Sequence, residues 1–177
     1  MKWFGGLLLA GCLCSLAGCL SHTTFQGGQL TKSRGPFLSS LYLAEFRELD
    51  LNENGQYATV FRGFPTSSAF MDLDLVGQTI RDEESLTRFT SEITVELDKD
   101  DGSQVCKATG KLNAIKGVGD YRWVLALSGS SASFWNSDCL WLKIRRDQSY
   151  ALKITVTGTT RALGSLRARP RLYTPCC

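Results

Sequence analysis

A single histidine and four prolines serve a chain of 177 residues. The histidine, His22, stands in a polar stretch near the N-terminus, where no fixed serine or cysteine is expected beside it. That excludes a Ser-His-Asp hydrolase and its cysteine counterpart. No Cys-x-x-Cys pair occurs, so the spacing fits no zinc pattern and no metal is expected. A phosphate-cradling glycine loop is missing too, and no cofactor is expected. Beyond residue 20 no apolar run approaches the roughly 20 residues that a membrane-spanning helix needs. The formal net charge is only +3, too little to suggest a nucleic-acid partner.

What is present begins at the N-terminus. Lys2 supplies a positive start, and an uncharged stretch of apolar and small residues runs from Trp3 to the tetrapeptide Leu16-Ala17-Gly18-Cys19. This is a signal-peptide plan, set apart from the fold. The tetrapeptide resembles a bacterial lipobox, the processing site of lipoproteins. The resemblance implies that Cys19 is thioether-lipidated and becomes the first mature residue. Leu9-Ala10-Gly11-Cys12 also fits, but cleavage there leaves a very short apolar core, so Cys19 is preferred. Leu20 after the cysteine, in place of Asp, implies the outer membrane, with the domain facing the periplasm. Residues 20–36 are rich in Ser, Thr, Gly and Gln, a composition read as a tether. The expected organisation is a signal peptide over 1–18, a tether over 19–36 and one domain over 37–177, roughly 140 residues with a single core.

Four cysteines remain in the domain: Cys106, Cys139, Cys176 and Cys177. An even number in an oxidising compartment suggests disulfides, and three pairings are possible. Cys106 with Cys139 is favoured because both lie in strand-like segments able to face one another across the core. Cys176 and Cys177 are left to pair with each other, with another chain, or back to the domain.

Period-two alternation dominates the rest. Met71-Asp72-Leu73-Asp74-Leu75, Ile93-Thr94-Val95-Glu96-Leu97 and Tyr150-Ala151-Leu152-Lys153-Ile154-Thr155-Val156 each place every second side chain on one face. Tyr121, Trp123, Leu125 and Leu127 repeat the pattern, and segments 41–49, 56–64, 103–112, 140–144 and 166–173 complete it. Turn sequences separate these runs at Asn54-Gly55, Asp98-Lys99-Asp100-Asp101-Gly102, Asn136-Ser137-Asp138 and Arg145-Arg146-Asp147-Gln148; all four read as hairpin loops. Residues 81–89 alone suggest a helix, with Asp82 as cap and Glu83 and Glu84 in its first turn. The expected fold is all-β: an antiparallel β-sandwich of eight or nine strands with one short crossover helix, a closed barrel being the alternative.

Candidate sites are few. Asp50-Leu51-Asn52-Glu53-Asn54-Gly55 matches the first half of a calcium loop, but Phe61 stands where a bidentate glutamate is required. Asp72 and Asp74 point the same way on one strand and suggest an acid/base pair, while Leu73 between them makes a solvated outer face the default. Arg161, Arg167, Arg169 and Arg171 form a basic stretch, suited to lipid phosphates or to a strand edge that discourages pairing. Trp123, Phe134, Trp135 and Trp141 cluster in the second half. Trp135 beside Asn136 and Asp138 is the candidate ligand platform, against the alternative that these rings fill the core. Together these features point to a non-catalytic lipid-anchored module that binds a macromolecular partner: a protein, an envelope polymer or a toxin that it neutralises. A structural part of an envelope or secretion assembly, or a cell-wall or lipid hydrolase, is the alternative.

Overall fold

The computed structural model describes residues 24–35, 39–76, 91–111, 123–128, 131–159 and 166–174. In chain order its elements are β1 (Gln29–Arg34), β2 (Ser40–Glu45), β3 (Leu49–Asp50), β4 (Gly55–Arg62), β5 (Ser68–Val76), β6 (Glu92–Lys99) and β7 (Gln104–Lys111). Then come β8 (Val124–Ser128), β9 (Ser131–Trp135), the one-turn helix α1 (Ser137–Leu140), β10 (Trp141–Lys143), β11 (Ser149–Thr157) and β12 (Arg167–Tyr173). The strands form two antiparallel sheets. One runs β1-β2-β12-β5-β9-β8, with β3 against β12 and β10 against β5; the other runs β4-β11-β6-β7. The all-β sandwich is therefore present, with twelve strands among the described residues in place of eight or nine.

Alternation builds the core. Tyr150, Leu152, Ile154 and Val156 of β11 point inward with Ile93, Val95 and Leu97 of β6, and meet Met71, Leu73 and Leu75 of β5 and Ala168 and Leu172 of β12. Pro170 sits inside β12 although a proline cannot donate to a ladder. It is tolerated because β12 has no continuous neighbour there on the side away from β5: β2 pairs with residues 171–173, β3 with 167–168, and the carbonyl of Pro170 accepts from Phe46 N in the gap.

Both open sides of the sandwich are closed. On one side residues 24–28 cross from β4 to β2: Gln26 exchanges hydrogen bonds with Arg62, and Phe25 packs against Phe46, Phe61 and Phe64 at ring distances of 6.3, 6.4 and 6.3 Å. Gly27, at φ 99°, lies where a Cβ would meet the carbonyl oxygen of Val60 at 2.1 Å, so only glycine fits. On the other side the Cys106–Cys139 disulfide ties β7 to α1, with Cα atoms 5.4 Å apart. The pairing is the favoured one, although Cys139 sits on a helical turn and not on a strand.

Several expectations are corrected. The tether cannot extend over 19–36, since β1 pairs with β2 through six residues and the chain belongs to the fold from residue 24. Of the four turn sequences, only Asp98 to Gly102 closes a hairpin, between β6 and β7, with Gly102 at φ 80°. Asn54-Gly55 leads from β3 in one sheet to β4 in the other, residues 145–148 cross from β10 to β11, and Asn136 to Asp138 turns through α1. Strand β12 is an interior strand, so its arginines guard no edge. The expected helix over 81–89 lies outside the described residues, as do Cys19, His22, Arg161, Cys176 and Cys177.

Candidate functional site

The outer face of the larger sheet carries the chemistry. Cross-strand partners share a face, and the register sets Leu43, Tyr173, Phe70 and Trp141 in one line across β2, β12, β5 and β10. At a strand spacing of about 4.8 Å this rung extends about 14 Å. Phe70 meets Trp141 edge-on at 4.8 Å and Tyr173 at 5.5 Å. Trp141 is 55% exposed, while Phe70 and Tyr173 are half-buried by their neighbours. Burial, and then the charge of Asp72, hold the Tyr173 hydroxyl above its usual pKa, so it stays a neutral donor.

The next rung is ionic. Arg171 lies opposite both Glu45 and Asp72, and its guanidinium grips Asp72 with both arms, Nε to Oδ1 at 2.9 Å and Nη2 to Oδ2 at 2.7 Å. Its Nη1 lies 3.0 Å from Asp74 Oδ1, close enough for charge attraction but misaligned, so that oxygen is buried without a hydrogen bond. Burial raises the Asp74 pKa; Arg171 opposes the shift and Asp72 adds to it. Burial disfavours the charge on Arg171 itself, yet Asp72 and Asp74 outweigh it and its pKa rises. Arg169 joins Glu45 at 2.9 Å and Glu48 at 2.6 Å, and Arg167 joins Glu48 at 3.0 Å. An open depression beside this network is lined by Gln29, Glu45, Phe46, Arg47, Glu48 and Arg169.

This geometry revises the residues singled out above. Asp72 and Asp74 do not lie on a solvated face: Asp72 is 3% exposed, and both its oxygens are held by Arg171. Arg167, Arg169 and Arg171 are paired with carboxylates, not set out as a free basic patch. Trp123 and Phe134 fill the core, the former donating Nε1 to the carbonyl of Ile93 at 3.1 Å. Trp135 is half-buried on β9. Asn136 is 1% exposed and caps α1, its Oδ1 accepting from Asp138 N at 3.0 Å, so it is a structural residue with no face to offer a ligand. Asp138 alone of the expected polar pair is exposed. In the calcium-like segment, Asp50 Oδ1 accepts from Asn52 N and Nδ2, while Asn54 Oδ1 accepts from Thr159. These oxygens face separate donors, and the described residues hold no cluster of metal-ligating side chains.

Trp135 is the ring expected from the sequence to face a ligand, yet the sequence also carries the signal that turns Trp141 outward. In Leu140-Trp141-Leu142-Lys143-Ile144 the apolar period points Leu142 and Ile144 inward, which turns Trp141 and Lys143 out. Phe70 and Tyr173 had no such signal, because their meeting depends on pairing across about a hundred residues of chain.

No protein-family model matches the chain, and no curated protein or solved structure matches it either.

Proposed function

We propose that this protein is a non-catalytic envelope lipoprotein, held at the outer membrane through an acylated Cys19, whose sandwich binds a macromolecular partner on the outer face of its larger sheet. The observation that carries the binding reading is Trp141, exposed at the end of an aromatic rung; among the described residues Val60 is the other large apolar side chain left exposed, and it has no aromatic neighbour in that rung. Large aromatic side chains with one polar tip are favoured in contact surfaces because they bury much area with few rotors. The ionic rung beside it is held rigid by its own pairs, so the face is ordered before any partner arrives. The anchoring reading rests on the lipobox residues Leu16-Ala17-Gly18-Cys19.

Two experiments test the two halves. Growth with an alkynyl fatty acid labels the wild-type protein and leaves Cys19→Ser unlabelled; persistent labelling of Cys19→Ser transfers the site to Cys12 or ends this reading. In-cell crosslinking and capture then compares wild type with Trp141→Ala. A specific protein or wall polymer retained by the first and lost by the second supports the sheet face, while equal capture by both refutes it.

A further inference from the structure

We infer that one end of the sandwich, the end bearing Thr24, rests on the phospholipid headgroups through its basic loops. This placement builds on the acylation of Cys19 proposed above. Its first ground is reach. Residue 24 is already fixed in the fold, its carbonyl against Gly63 and Phe25 against the core. Five peptide units separate it from Cys19, and extended chain spans at most about 3.5 Å per residue, so Thr24 stays within about 17 Å of the lipidated residue. A tether over 19–36 would have allowed about 60 Å. The leash is therefore shorter than the domain, whose nine-residue strands run about 30 Å.

The second ground is what shares that end. Arg62 lies opposite Ser149, Lys99 opposite Tyr150, Lys143 opposite Ser68, and Ile144 N donates to Ser67 O. Hence Arg62, Lys99, Lys143, Arg145 and Arg146 stand around the loops that neighbour Thr24, and Arg34 joins them at the far end of β1. Anions are present as well: Asp147 pairs with Arg145, Asp100 with Gln148, and Asp98 and Asp101 flank the β6–β7 turn. Six basic residues against four carboxylates leave this end net positive among the described residues, so the end as a whole faces the headgroups. Basic groups held within a Debye length of anionic lipid are attracted cumulatively.

A consequence follows for the binding face. Trp141 stands two residues along β10 from Lys143, so the aromatic rung sits just above the headgroups, and its partner is one that can be reached at the bilayer surface.

The test uses full-length acylated protein in phosphatidylcholine vesicles with and without phosphatidylglycerol, footprinted with a membrane-impermeant amine reagent. With Cys19→Ser as the unanchored reference, Lys143 and Lys99 should react about threefold more slowly in the anionic vesicles, whereas Lys111 at the opposite end should not change. Mass spectrometry of the N-terminal peptide from the same sample reports acylation. If that peptide carries no acyl chain, the anchoring reading itself falls and this placement with it. If it is acylated and Lys111 is protected as much as Lys143, or neither is, only the placement is overturned. Arg62→Glu with Arg146→Glu should abolish the phosphatidylglycerol dependence while leaving the circular dichroism unchanged; retained dependence in that folded variant refutes the role of the basic loops.

Discussion

Removing the Cys106–Cys139 disulfide offers the sharpest test of how the sandwich is held together. The bridge closes a loop with a sequence separation of 33. In the chain-entropy description, such a loop restricts the unfolded chain by about 12 cal/mol/K, or about 3.7 kcal/mol at 25 °C. Both sulfur-bearing residues are buried, so Cys106→Ala with Cys139→Ala also loses a little packing, and the total loss should be about 4 kcal/mol. For a domain of this size that corresponds to a fall in Tm of roughly 8–16 °C. Urea unfolding followed by circular dichroism, on the oxidised wild type, the reduced wild type and the double variant, separates the two contributions. The reduced wild type isolates the cross-link; the double variant adds the voids. A loss below about 1 kcal/mol in both samples would refute the reasoning, because it would mean that β7 and α1 are held by packing alone or that the thiols pair elsewhere. A single Cys139→Ala variant that forms a new bridge to Cys176 or Cys177 is recognisable by peptide mapping.

Arg171→Met leaves Asp72 buried without its counter-charge, and urea unfolding should show a loss of about 3–5 kcal/mol. Combining it with Asp72→Leu should recover most of that loss, since the apolar pair has no charge to desolvate; a double variant no better than the single would overturn the assignment of the ion pair as the cause. Asp74→Asn should raise Tm at neutral pH, because burial lifts the folded-state pKa of Asp74 above its unfolded value and its charged form is therefore penalised in the fold. That gap should narrow as pH falls through the raised pKa, where wild-type Asp74 takes up a proton and the penalty disappears; a gap that widens on acidification contradicts the shift. Trp141→Ala should cost no more than about 3 kcal/mol, because more than half of the residue is already in water and less than half of a ring that buries at most about 250 Å² contributes. A larger loss in thermal unfolding would make Trp141 a structural residue and remove the basis for the binding face.

The strands were legible wherever one face of the sheet is dry and the other wet. Ile93, Val95 and Leu97, and Tyr150 through Val156, carry their burial in the period itself. Three features hid. An edge strand with solvent around most of its side chains has no apolar period to display, and β1 therefore reads as a tether. The dipeptide Asn54-Gly55 carries hairpin character locally, yet Gly55 does not adopt a positive φ and the strands on either side belong to different sheets. The alternation Asp72-Leu73-Asp74 says that the aspartates point away from the core, but not whether water or a neighbour covers them. The cover is Arg171, 99 residues away, and only the interior position of β12 brings it there. The candidate site was hidden for the same reason: aromatic residues on three strands, with Leu43 on a fourth, become one rung only once the register is fixed.

The disulfide and the N-terminal crossing do the same mechanical work on opposite sides of the sandwich. One joins the sheets by a covalent bond between β7 and α1; the other joins them by Phe25, Gln26 and a glycine that no other residue can replace at that contact. Two sheets that meet only through apolar faces can slide, because hydrophobic contact has no direction. Seams on both sides remove that freedom and hold the register on which the outer rung depends. The N-terminal seam has a further effect when Cys19 is acylated, since the chain that leaves it is the chain that reaches the lipid. Any pull between a bound partner and the membrane then passes through the Phe25 cluster into both sheets together, and not through a loose loop on one of them. In the proposed arrangement, an anchor joined to the fold in this way fixes the orientation of the outer sheet face as well as its address.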